Sequence, residues 1–345
     1  MKVQEYRDLE KLSEIVNELP QVVTNFIEQK LDENVSPTTL LEYSRDFCIF
    51  FSWITPKLWP YIEQHNELKL ELFNEITREH VQEFLDYLQF SKNHKYSTRL
   101  RRFHALRSLF SFIHRDFENT GFPILLRNVF ATFTMESSNR PLEVARQLQN
   151  KVLRVKEIDQ FIKFVMEGVS KHNNPRAECS YIQNRARDVS IIALFLESGL
   201  IVSDLVNMDI NDINLMEGYT FVTRQKAKIR MRHKVIFGEK AKQYLVNYLD
   251  VRNKTYNPQN EEEAFFLAKP NGEIHGKRIS KRAIQDMVKK YALKFGTTKV
   301  TVRQLTHSFG LQFAEKNTAR NMKQQMTHRN IESVEKYLIL SSIIK

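Results

Sequence analysis

The chain has 345 residues, enough for two domains that each bury a core. Hydrophobic residues make up 42% and charged residues 27%, with only 9 Gly and 9 Pro, which excludes a linker-rich or disordered protein. A net charge of +11 favours a polyanionic partner, nucleic acid first, while the two distant cysteines, Cys48 and Cys179, exclude a disulfide framework or a thiol metal site.

Ser36-Pro37 reads as an N-cap followed by proline at the first helical position, and Leu40, Tyr43, Phe47, Phe50 and Ile54 then fall on one buried face until Pro56 and Pro60. A second helix opens at Ser97. Leu100, Phe103, Leu106, Phe110 and Ile113 line one side of it, while Arg99, Arg102 and, partway round, Arg101 and Arg107 project elsewhere. No acid follows in this segment before Asp116, which makes Thr98, Arg99 and Arg102 candidate contacts to a polyanion; an ordinary solvated face is the competing explanation. Polar residues accumulate from Glu136 to Lys156, so a helical domain is expected over 1–136, a connection over 137–155 and a second domain over 156–345.

In that second domain the spacing predicts helices at Val155–Val165 and Arg187–Leu196, the latter stopped by Gly199. Tyr219–Arg224 and Arg232–Phe237 are rich in β-branched and aromatic residues and flank a basic stretch, which predicts a hairpin with Lys226, Lys228 and Arg230 at its tip. Helical spacing returns at Lys240–Val251 and Ile279–Phe295; Asn257–Glu263 reads as a polar loop and Pro270-Asn271-Gly272 as a turn. The expected fold is mainly α with a small β-hairpin or sheet.

Four blocks of the second domain carry a resemblance to a known family. The first runs from Arg187-Asp188 through Ile191-Ile192-Ala193-Leu194 to Ser198-Gly199-Leu200 and Ser203-Asp204-Leu205, and the second is the hairpin after Val222-Thr223-Arg224. The third is Thr301-Val302-Arg303-Gln304-Leu305-Thr306-His307-Ser308-Phe309; the fourth places Tyr337 nine residues after His328. In this order and at these separations, the blocks resemble the tyrosine recombinase (integrase) family, and the whole chain resembles its Xer-type, XerS-like branch. The resemblance implies a helical core-binding domain that clamps DNA, followed by a tyrosine-recombinase catalytic-type domain.

It also implies a chemistry. Members cleave one DNA strand by attack of a tyrosine on a phosphodiester, forming a 3'-phosphotyrosine link without metal or nucleotide. Such attack needs a nucleophile, donors for two non-bridging oxygens and an acid for the departing hydroxyl. By resemblance Tyr337 is the nucleophile, His328 and His307 are phosphate-side residues, and Lys226 corresponds best to the hairpin lysine, with Gln225 the direct match and Lys228 a substitute. The two family arginines fall on Ile201 and Thr306, neither of which supplies a guanidinium. Arg303 stands where the family has histidine, keeping a donor that cannot exchange a proton near neutrality. Arg303 itself, or Arg230 or Arg232 from the hairpin, would be the source of any compensation. Members continue past the tyrosine into a helix that docks on a neighbouring subunit, whereas eight residues, Leu338 to Lys345, follow here.

The leading expectation is a site-specific double-stranded DNA-binding protein of this family with cleavage lost or strongly attenuated, alone as a homo-oligomer or with a partner recombinase. A working recombinase for dimer resolution or integration and excision is the rival, and a basic helical scaffold the blandest alternative. No metal, nucleotide, flavin or other small-molecule cofactor motif occurs. The charged N-terminus lacks a signal-peptide core and no run approaches a membrane span, so a cytoplasmic protein is expected.

Overall fold

The structure is a computed structural model that describes residues 3–120, 125, 127–135, 141–168, 174–226, 229–269, 272–297 and 300–344. The chain divides into two compact units, Met1–Ser137 and Ser138–Lys345. Most described residues are helical, with one small antiparallel sheet and a two-stranded pair.

The first unit contains α1 (Val3–Val16), α2 (Gln21–Asp32), α3 (Pro37–Leu58), α4 (Arg78–Asp86) and α5 (Tyr96–Thr120). Ser36 caps α3 as expected, its hydroxyl accepting from the Thr39 amide at 3.3 Å. Pro56 lies in the last turn, where the helix is already ending. The core is built from phenylalanine: Phe47, Phe50 and Phe51 of α3 meet Phe103 and Phe110 of α5, with Phe84, Phe73 and Phe130 closing around them. The Phe110 and Phe130 rings are 4.5 Å apart between centroids.

The basic side of α5 is less open than its local sequence implies. Asp46 of α3, 1% exposed, accepts two hydrogen bonds from Arg101, at 2.5 and 2.9 Å, and lies 3.3 Å from Nε of Arg102. Arg102 also contacts His94 at 3.1 Å, and its side chain is 11% exposed. The expectation of an uncompensated arginine face is thereby corrected: the acid comes from a helix some fifty residues earlier in the chain. Arg99 instead stacks over the Tyr96 ring, and Thr98 is half-buried in the first turn of α5.

The second unit begins with α6 (Pro141–Gln149) and α7 (Val155–Lys163). Residues 141–149 were expected to be connection; they form a helix whose Val144, Ala145 and Leu148 share a face and enter a core with Val152. The polar residues that obscured it occupy the other face. Next come α8 (Pro175–Ser198), α9 (Val202–Asn207), β1 (Ile213–Asn214), β2 (Tyr219–Lys226), β3 (Ile229–Ile236) and α10 (Glu239–Tyr256). Then follow β4 (Leu267–Ala268), β5 (Lys277–Arg278), α11 (Lys281–Lys294), α12 (Val302–Ala314), α13 (Ala319–Gln325) and α14 (Glu332–Ile344). The sheet order is β1-β2-β3, all antiparallel, with Tyr219 opposite Ile236 and Lys226 opposite Ile229.

Helix α8 starts twelve residues before the predicted Arg187, because Asn174 caps it and Pro175 occupies N1. Its inner half is buried apart from Glu197 and carries a polar group that the fold must satisfy. Arg187 donates to Asp188 and, at 3.0 Å, to the Leu267 carbonyl, while the Tyr291 hydroxyl donates to the other Asp188 oxygen at 3.0 Å. These contacts join α8, β4 and α11.

Candidate functional site

The ends of α8, α9 and α13 and the helices α11, α12 and α14 converge on one cavity of about 410 Å³ in the second unit. Gly199 ends α8 in the left-handed region (φ 73°), and a side chain there would meet the Phe309 ring at 2.6 Å, so only glycine lets α8 stop against α12. The turn delivers Ile201, 44% exposed, whose amide donates to Asp204 at 2.9 Å at the start of α9. Thr301 caps α12, accepting from the Gln304 amide at 3.5 Å. This orients Arg303, Thr306 and His307 toward the cavity. From the other side come His328, after α13, and Lys336 and Tyr337 of α14.

Tyr337 is 1% exposed, yet its hydroxyl sits 2.7 Å from Nδ1 of His307. The ring lies so close to α12 that a Cβ on Gly310 would come within 2.7 Å of it. Burial raises the pKa of the phenol well above its ordinary value, against the attraction of Arg303. Burial, with Lys336, Arg303 and His328 as like charges, holds His307 down at about 3, and burial with Lys336 and Arg224 holds His328 at about 4. Both imidazoles are therefore neutral at pH 7. In the Nε2–H tautomer, His307 accepts the phenol proton at Nδ1.

Thr306 is 7% exposed and turns its hydroxyl away from anion duty: Oγ1 donates to the Leu200 carbonyl at 2.9 Å. Ile201 offers the cavity only hydrocarbon. Arg303 is exposed at the rim. Among the described residues no Asp or Glu lines the cavity, and the charged groups that do are cationic.

A second hollow of about 340 Å³ adjoins His328 and is lined by Arg224, Met231, His233, Lys323, Thr327 and Arg329. Arg224 organises it. Its guanidinium donates to both oxygens of Asp204, the Nη2 bond measuring 2.6 Å, and its Nε donates to Thr327 at 3.0 Å. Thr327 itself is held in the left-handed region (φ 52°), unusual for a β-branched residue, and this turn aims His328 into the cavity. Gln325 ties the turn to the sheet, donating to the Ser198 and Ile236 carbonyls at 2.9 and 2.7 Å.

The structure thus brings Tyr337, His307, His328, Arg303, Ile201 and Thr306 to one place. The hairpin residues stand apart in kind: Lys226 and Arg230 belong to the paired ends of β2 and β3 rather than to a loop, and Lys228 lies outside the described residues. Arg232, expected as a compensating group, is committed elsewhere: it pairs with Asp212 at 2.9 Å and stacks 4.1 Å over Phe221. Sequence reasoning missed Lys336 and the Asp204–Arg224 pair. The sequence signal for Lys336 is a cation directly before the tyrosine, outside the spacing of His328 to Tyr337. Among the described residues, no cluster of three His, Cys, Asp or Glu is arranged to hold a metal, and no helix is long and apolar enough to cross a membrane.

Comparison with known proteins adds an independent line. The profile of the phage integrase family matches residues 151–342. The tyrosine recombinase XerS of Streptococcus uberis is 30% identical over 342 residues, covering 95% of this chain and 94% of its own. XerS of Lactococcus lactis subsp. cremoris is 28% identical over 343 residues, covering 96% and 94%. Among solved structures, the XerH site-specific recombinase bound to a palindromic difH substrate in a post-cleavage complex superposes with a TM-score of 0.65 at 16% identity, over 97% of this chain and 87% of that one. The Tn1549 transposon integrase in complex with a circular intermediate DNA gives 0.62 at 15% identity, over 92% and 94%.

Proposed function

We propose, from the premise that this chain belongs to the phage integrase family and is XerS-like, that it is a site-specific double-stranded DNA-binding protein whose cavity docks a backbone phosphate but whose strand cleavage is strongly attenuated. One observation carries this reading: a single cavity, with no acid among its described lining residues, holds Tyr337, His307, His328 and Arg303 together with Ile201 and Thr306. The net charge of +11 supplies the long-range attraction to a duplex, and the adjoining hollow with Arg224, Lys323 and Arg329 extends the cationic track. Relatives bound to DNA support the choice of partner. Thr98, Arg99 and Arg102 of the first unit, and Lys226, Lys228 and Arg230 of the hairpin, are proposed as further DNA contacts; the residues that Asp46 engages contribute least.

The chemistry follows from the donors present. Attack by the Tyr337 oxygen on phosphorus forms the phosphotyrosine ester as the bond to the departing 5'-oxygen breaks. The phenol proton passes to His307 at 2.7 Å, a weak base at about 3, and the departing oxygen takes its proton from the hairpin lysine position, Lys226 by resemblance. Negative charge then grows on the non-bridging oxygens. Removing one preorganised donor at such a position costs about 10²–10³ in rate. With Ile201 and Thr306 in place of two guanidiniums the loss is of order 10⁴–10⁶, reduced by whatever Arg303 supplies.

A gel-shift series with the full chain tests the binding claim. Duplex affinity should fall steeply with salt, persist in Tyr337→Phe and concentrate at a footprinted site; affinity indifferent to sequence would overturn the site-specific part. The preserved contact between base and nucleophile favours a second reading, an active recombinase. A nicked suicide duplex decides between them, since a covalent adduct formed rapidly by the wild type and abolished in Tyr337→Phe would establish that reading.

A further inference from the structure

We infer that Lys336 is a phosphate-anchoring cation of this cavity, standing in for positive charge absent at positions 201 and 306. The inference rests on the phosphate-docking reading above and adds a residue to it. Lys336 precedes Tyr337 on α14, about 100° around the helix, on the flank that borders the cavity. Its Nζ lies 5.0 Å from the centroid of the Tyr337 ring, and the side chain is half-buried.

Among the described residues no acid lines the cavity and no carboxylate pairs with this ammonium. The groups around it are Arg303 and His307 of α12, His328 of the preceding turn and Tyr337 itself. None of them offers a negative charge. Both imidazoles feel its repulsion, and burial together with Arg303 lowers its own proton affinity, which sets all four groups around one electropositive point. A partly desolvated ammonium without a counter-ion is costly to keep, and an incoming anion removes that cost. The ammonium and the Arg303 guanidinium, reaching one cavity from two helices, suit an anion with at least two acceptor oxygens, as a phosphodiester has. The alternative is that Lys336 merely packs its stem on Tyr337.

Inorganic sulfate serves as the probe, titrated into the full chain against sodium chloride of matched ionic strength, with thermal unfolding followed by circular dichroism. The wild type should be stabilised by sulfate beyond chloride. Lys336→Gln should bind it about tenfold or more weakly, the loss expected for one charged hydrogen bond, and Lys336→Arg should restore most of the affinity. Equal sulfate affinity in the wild type and Lys336→Gln would overturn the assignment, as would a Lys336→Arg variant as weak as Lys336→Gln, which would mark a packing role. Wild-type duplex affinity in the gel shift is scored separately: its absence retires the DNA reading, whereas unchanged sulfate binding in Lys336→Gln retires only the role of Lys336.

Discussion

Replacing His307 tests the electrostatics of the cavity quantitatively. In the folded chain, burial and neighbouring cations hold this imidazole at about 3, against an ordinary value of 6.5. A depressed folded-state value means that the unfolded chain binds the proton more readily, so the stabilisation is complete above pH 6.5 and is lost as pH falls toward 3. At pH 5 the unfolded histidine is already protonated and the folded one is not, a gap of about 1.5 pH units, or about 2 kcal/mol. His307→Gln keeps a hydrogen-bonding side chain beside the Tyr337 hydroxyl but cannot titrate. Urea unfolding at pH 7.5 and pH 5 should therefore show the variant losing about 2 kcal/mol less than the wild type. Far-UV circular dichroism reports both helical units, while Trp53 and Trp59, the only tryptophans of the chain, report the first alone, so the transition seen by dichroism and not by tryptophan fluorescence belongs to the second. Identical pH dependence in the two proteins would refute the claim that His307 is buried neutral against the nucleophile.

Other substitutions follow from the same geometry. Gly310→Ala puts a methyl group 2.7 Å from the Tyr337 ring and should cost about 1–3 kcal/mol by overpacking, read as a lower unfolding midpoint. Asp204→Ala strands Arg224, whose side chain keeps 23% exposure, so we expect a loss of about 2–3 kcal/mol, below the range for a fully buried pair, together with disorder of the Thr327 turn in hydrogen exchange. On the first unit, Arg99→Ala should reduce the salt dependence of duplex binding by about one counter-ion. Arg102→Ala should instead lower the stability of that unit, because it weakens the partnership with buried Asp46.

Much of this fold was written in local pattern. The Ser36 cap, the phenylalanine stripe of α3, the Gly199 stop and the β2–β3 pairing each follow from interactions within a few residues, and such signals survive in a single sequence. What stayed hidden depends on distant partners. The arginines of α5 looked unopposed because Asp46 lies on another helix, and α6 looked like a connection because its apolar stripe of Val144, Ala145 and Leu148 is short and set among polar residues. The site was legible in its spacing: six residues singled out from motif order line one cavity. Its electrostatics were not, since neutral imidazoles and an unopposed Lys336 arise only when helices from separate parts of the chain exclude water together.

The central claim is that positions 201 and 306 face the phosphate that Tyr337 would attack, and that their side chains are what limits cleavage. The direct measurement is covalent adduct yield on a nicked suicide duplex carrying the footprinted site, comparing the wild type with the Ile201→Arg, Thr306→Arg double variant. We predict a slow or undetectable wild-type adduct, a gain of about 10² or more in the folded double variant, and its disappearance when Tyr337→Phe is added. Rapid adduct formation by the wild type, or no gain from two restored guanidiniums in a folded, duplex-binding variant, would contradict the account.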